Sequence, residues 1–206
     1  MVSFCDIPLT DVGSHTKKYG FYGLGLSKQW AIRNGLNPIL YLEKGSKITE
    51  SVSSFDYLTG RLTSYPEFLD YDSDAFIHTV KSLREALERS LGFMKNYSGD
   101  LNRKKEKRIV KDYIYYDERE WRYVPDTISN NRLLLMGDEY ERDKKSFNDI
   151  ANKERLAFEY SDVSYIILRE NSQIDRFVKY LDKNVRSDKD LLCSKIITLE
   201  QISKDF

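Results

Sequence analysis

Phe76, Val80, Leu83, Leu87, Leu91 and Met94 advance by 4, 3, 4, 4 and 3 residues. That spacing keeps six apolar side chains on one side of an α-helix, and an apolar stripe of that length must be covered by other elements. It predicts an amphipathic helix over 73–98, stopped by Gly99, and a chain that folds around it. At 40% hydrophobic and 13% aromatic over 206 residues, there is enough apolar material to cover the stripe. The whole chain, 1–206, is read as a single domain.

Shorter runs supply strands. Val2 to Asp6 is extended, Pro8 suits a first helical turn, and Gly20 ends that stretch. The run Tyr19-Gly20-Phe21-Tyr22-Gly23-Leu24-Gly25-Leu26 reads as a turn entering a strand, with glycine where backbones approach closely. Ser27 caps a helix to Asn34, Gly35 closes it in a left-handed conformation, and Pro38 opens a strand over 39–43. Residues 45–72 show no clear period and read as loop with at most one helical turn. Near the end, a buried-type strand over 163–168, a helix over 171–183 carrying Ile174, Phe177, Val178 and Leu181, and a strand over 192–199 outline a βαβ unit. The expected fold class is α+β, with a mixed, largely antiparallel sheet and packed helices.

Charge excludes several classes. Thirty-three basic residues against thirty-three acidic ones leave no whole-chain field to hold a nucleic acid or an anionic membrane at a distance. Apolar runs such as 165–168 fall far short of the roughly 20 residues that span a bilayer. The N-terminal segment lacks a basic region and meets an acid at Asp6, unlike a secretory signal. The expectation is a cytoplasmic protein with no membrane partner. Cys5 and Cys193 are expected as buried, unbridged thiols.

Chemistry-bearing residues cluster in three places. Gly20, Gly23 and Gly25 form G-x-x-G-x-G, the wrong order for a dinucleotide fingerprint, so a tight turn is the simpler reading. His15 precedes them and has the chemistry of a general base or a ligand-binding group. Within Asp117-Glu118-Arg119-Glu120-Trp121-Arg122, a strand would put Glu118, Glu120 and Arg122 on one face. Paired carboxylates can act as acid and base or hold a divalent ion. They can equally form ion pairs with neighbouring arginines, and no metal site or cofactor is assigned. Six basic residues between 103 and 111, against Glu106, leave a local balance of +5. That ridge, with Lys104, Lys105 and Arg108 followed by Tyr113, Tyr115 and Tyr116, suits a solvated linker, an acidic protein partner, or a nucleic acid or nucleotide bound through 103–116.

The combined pattern is more specific than its parts. Phe4-Cys5-Asp6-Ile7-Pro8-Leu9, His15, Tyr19 to Lys28 followed by Trp30, Gly35-x-Asn37-Pro38-Ile39-Leu40-Tyr41, and Glu118-Arg119-Glu120-Trp121-Arg122-Tyr123-Val124-Pro125 together resemble the AbiGi family of bacterial abortive-infection proteins. The resemblance covers the first 45 residues and 113–125. It implies a defence protein, the antitoxin half of a two-gene phage-resistance system, binding a toxin that resembles a nucleotidyltransferase or another defence-system protein. Among the residues shared with the pattern, Gly20, Gly23, Gly25, Trp30 and Arg122 are then candidate ligand or partner contacts, as are Lys104, Lys105 and Arg108 of the ridge, and His15, Tyr19, Glu118 and Glu120 are the candidates for catalysis. The alternative is a nucleotide-utilising or ADP-ribosyltransferase-like enzyme with a cleft around His15, Tyr19 and Glu118 or Glu120.

Overall fold

The computed structural model describes residues 1–64, 74–103, 108–125 and 137–205. From the N-terminus, β1 (Val2–Cys5) is followed by a 3-10 turn after Pro8 and by α1 (Val12–Tyr19). Gly20, at φ +110°, ends that helix and donates its N–H to Thr16. Next come β2 (Gly23–Leu26) and α2 (Lys28–Arg33), whose cap is Ser27, accepting the Trp30 N–H at 3.1 Å. β3 (Asn37–Pro38) and β4 (Leu40–Leu42) follow, then α3 (Lys47–Ser64), α4 (Asp74–Gly92), β5 (Met94–Asn96), β6 (Ser98–Arg103) and β7 (Arg108–Ile114). A 3-10 turn (Tyr115–Glu118) leads into β8 (Glu120–Tyr123). The chain continues through α5 (Gly137–Arg142), α6 (Lys144–Ala151), β9 (Val163–Leu168), α7 (Ile174–Asn184), α8 (Lys189–Cys193), β10 (Ile196–Thr198) and α9 (Leu199–Asp205). The fold class is α+β, as expected, with the strands shared among four small sheets.

The chain divides into two compact units: 1–5 with 37–155, and 6–36 with 156–206. In the second, β9 lies between β10, which is parallel to it, and β2, which is antiparallel. The parallel β9-α7-β10 arrangement is the βαβ unit expected from the spacing. Val163, Ile166 and Leu168 of β9 pack with Leu181 and Leu192 to form its core. A Cβ on Gly25 would come within 3.3 Å of Tyr165 and one on Gly23 within 3.4 Å of Ile167, so these glycines serve close strand approach.

In the first unit, β8 is the centre of the sheet β1-β8-β3, antiparallel to both neighbours. The segment 37–42 is not one strand. Asn37 and Pro38 pair with β8, whereas β4 pairs in parallel with β5, and Ile39, whose N–H bonds to Glu120, marks the change of sheet. β6 and β7 pair antiparallel, so Arg103, Arg108 and Lys111 of the basic run are strand residues, and residues 104–107 lie outside the described residues.

Several expectations need correction. Residues 47–64 form α3, not a loop. Its buried side holds Val52, Asp56 and Thr59, spaced 4 and 3 but mostly polar, with Arg84 of α4 bonded to Asp56 at 2.6 Å and to Glu88 at 2.8 Å. The long helix ends at Gly92 rather than Gly99, and Gly99 belongs to β6. Leu83, counted in its stripe, is 41% exposed, whereas Val80 and Leu87 are buried. The expected strand over 192–199 is split among α8, β10 and α9. Cys5 is exposed and Cys193 half-buried, so neither is the buried thiol expected, and they form no disulfide. Leu133 to Met136, a short apolar run with Gly137 behind it that predicts a strand, lie outside the described residues.

Candidate functional site

The sequence places Glu118, Glu120 and Arg122 on one face, and they do meet, but not on one continuous strand. Glu118 ends the 3-10 turn, and Arg119 adopts a left-handed conformation at φ +44°. That reversal turns Glu118 toward the same side as Glu120 and Arg122, which alternate as the buried positions of β8. All three are buried. Arg122 Nε donates to Glu120 Oε1 at 2.6 Å, and its Nη1 donates to the carbonyls of Gly92 at 2.8 Å and Met94 at 3.1 Å.

Lys95, from β5, closes the cluster. Its ammonium donates to Glu118 Oε2 at 2.7 Å and to Glu120 Oε2 at 2.8 Å. Tyr113 donates its hydroxyl to Glu118 Oε1 at 3.0 Å, and Ser3 of β1 donates to Glu120 Oε1 at 2.6 Å. Each of the four carboxylate oxygens therefore accepts a hydrogen bond, and two cations balance two anions. The Glu120 N–H donates to the Tyr41 hydroxyl at 2.8 Å. Tyr41 meets Tyr116 edge-on at 5.3 Å, and Tyr116 stacks with Tyr97 at 5.7 Å. Lys95 also lies 4.8 Å from the centre of the Tyr115 ring, within range of a cation–π contact. Five of the chain's tyrosines thus gather round the ion pairs, with Tyr97 and Tyr116 exposed.

The electrostatics follow from these contacts. Burial opposes ionisation of Glu120, yet the bonds from Arg122, Lys95 and Ser3 outweigh it and hold its carboxyl down at about 2. Burial would likewise lower the Lys95 pKa, but its bonds to Glu118 and Glu120 leave it raised. Tyr113 is pushed well up, first by burial and then by its bond to Glu118. At neutral pH the cluster is fixed: ionised carboxylate and ammonium, neutral phenol. A carboxyl held near 2 is poorly matched to proton transfer at pH 7.

His15 and Tyr19 share α1 in the other unit, their rings 4.4 Å apart. Trp30 is 1% exposed and donates Nε1–H to the Ala157 carbonyl at 3.0 Å, which makes it a core residue of that unit. Gly20, Gly23 and Gly25 serve the helix end and strand contacts already described. Lys104 and Lys105 lie outside the described residues, and Arg108 is placed only as a strand residue. Among the described residues no group of three or more His, Cys, Asp or Glu could hold a metal ion, and no helix is long and apolar enough to cross a membrane. Sequence reasoning missed Lys95 and Ser3 as members of the cluster. Neither carries a local signal, since each acts through a partner at least 23 residues away.

A family model described as "Putative abortive phage resistance protein AbiGi, antitoxin" matches residues 1–169. The chain belongs to the AbiGi family. A Lactococcus lactis subsp. cremoris protein named Abortive phage resistance protein AbiGi is 29% identical over 231 residues, covering 100% of this chain and 88% of that protein. No solved structure matches. AbiGi membership places the chain in abortive phage resistance. The AbiGi match contains the entire charged cluster, while α7, α8, β10 and α9 lie beyond it.

Proposed function

We propose that this chain is the antitoxin, or regulatory, partner of a toxin in a cytoplasmic phage-resistance system and that it acts by binding that protein. The word antitoxin in the family model's description supports that role. The observation that supports binding over catalysis is the closed bonding of Glu118 and Glu120, whose oxygens are all engaged by Lys95, Arg122, Tyr113 and Ser3. Catalysis by Glu118 or Glu120 as acid or base would require that carboxylate to surrender a charge-assisted bond in every turnover. As a clasp, the same bonds join β1, β5 and β8, while the Glu120 N–H holds Tyr41, against which the exposed Tyr116 rests. Tyrosines held in this way lose little freedom on binding and suit a protein interface.

The test is growth rescue. Toxin alone is expected to arrest growth, this chain alone to permit it, and co-expression to restore it. Arrest by this chain alone, abolished by a folded Glu120→Gln variant, would replace the antitoxin with an enzyme.

A further inference from the structure

The outer side of α7 carries a shallow groove lined by Ser172, Asp175, Arg176, Lys179, Tyr180 and Lys183. Its three cations recur at intervals of 3 and 4 residues, one helical turn each, so that Arg176 and Lys183 stand about 10 Å apart along the axis. Five other cations of this unit are engaged, Lys28 with Asp6, Arg33 with Asp162, Arg169 with Glu170, Lys189 with Asp182 and Lys204 with Glu200, whereas Arg186, off the groove, is not in an ion pair among the described residues. Among the described residues, Arg176, Lys179 and Lys183 have no such partner. Against them stands one acid of the groove, Asp175.

Tyr180 lies among these cations and is 58% exposed. Its ring stacks with Phe177 at 6.2 Å, and Phe177 packs against the β9 core. The helix itself is anchored there by Leu181, Ile174 and Phe177, so the groove is presented by a rigid element. An aromatic ring flanked by cations matches an acidic segment that also offers an apolar side chain. A nucleic acid fits less well, because the chain's zero net charge supplies no long-range attraction for a polyanion.

We infer that the α7 groove docks an acidic segment of the toxin partner, with Arg176, Lys179 and Lys183 pairing its carboxylates and Tyr180 receiving an apolar side chain. This rests on the antitoxin reading. It goes further by assigning the contact to a surface beyond residue 169, where the family match ends, and by stating the partner's chemistry.

The test measures binding of the full chain to purified toxin, to a labelled peptide of about twelve residues rich in Glu with one central Phe, and to a single-stranded DNA oligonucleotide, at about 50 mM salt. The Arg176→Glu, Lys179→Glu, Lys183→Glu variant is expected to keep the wild-type melting curve while binding toxin and peptide at least about tenfold more weakly. Tyr180→Ala is expected to weaken both several-fold, and about 300 mM salt to weaken peptide binding. Toxin bound equally by wild type and the reversed variant would overturn the groove assignment and leave the antitoxin reading intact. Toxin not bound by wild type would remove the antitoxin reading itself, and the inference with it. Binding of the oligonucleotide but not the peptide, lost on charge reversal, would overturn the acidic-protein occupant in favour of a nucleic acid.

Discussion

Arg122 and Glu120 stand two residues apart on the same buried face of β8, with the guanidinium Nε 2.6 Å from the carboxylate. Two charges on an inward strand face are tolerated only when each is compensated, and here Lys95, Glu118, Ser3 and the carbonyls of Gly92 and Met94 complete the compensation.

Removing one member should therefore be costly. Glu120→Gln keeps the size of the side chain but leaves the buried Arg122 and the half-buried Lys95 short of one negative charge. The expected loss is about 3 kcal/mol, or roughly 6 to 12 °C in melting temperature for a chain of this length. Urea and thermal melts check it; an unchanged midpoint would mean that the carboxylate is solvated rather than clasped.

The same cluster sets a pH dependence. Glu120 titrates at about 2 in the folded protein against an ordinary 4.5. A depressed carboxyl contributes stability that is complete above 4.5 and lost as pH falls toward 2, here roughly 3 kcal/mol. Lys95 has the opposite sign: its raised pKa contributes stability that is complete below the ordinary lysine value and lost only as pH rises through its higher folded value. Urea midpoints should hold level between about pH 5 and 10 with respect to this cluster and fall in acid. In Glu120→Gln the acid loss should shrink. Superimposable acid limbs for the two proteins would contradict the assignment.

Much of this was legible in the sequence, and the gaps have a common cause. Val80 and Leu87 could be placed because apolar residues at helical spacing announce a buried side. α3 could not, because its buried side is built from Asp56 and Thr59, whose compensation comes from Arg84 and from the Phe55 and Asp56 carbonyls. Hydrophobic periodicity does not register a stripe that is buried through hydrogen bonds. The meeting of Glu118, Glu120 and Arg122 was readable from alternation, although the left-handed Arg119 that brings Glu118 round was not. Lys95 was hidden, since its only mark is its distance in space from two carboxylates.

Leu83 and Leu87 offer a direct contrast on α4. Leu87→Asp buries an unpaired charge and should cost on the order of 3 kcal/mol or more. Leu83→Asp, at a position 41% exposed, should cost under about 1 kcal/mol. Paired melts of the two variants decide it, and equal losses would move Leu83 into the core.

Trp30 belongs to the core of its unit rather than to a ligand surface. Trp30→Ala should cost about 3 to 5 kcal/mol through cavity formation and the loss of a filled hydrogen bond. The check is a urea melt, and a folded variant of undiminished stability that has lost partner binding would restore the ligand-contact role.

The most direct measurement of antitoxin action is the mass of the species formed when this chain is mixed with purified toxin and passed through a sizing column with light scattering at about 150 mM salt. A stable complex of fixed stoichiometry, with a dissociation constant of about 1 μM or tighter, is the expected result. Separate elution of the two proteins at tens of micromolar, alongside undiminished protection of cells from phage, would contradict protein binding as the mode of action.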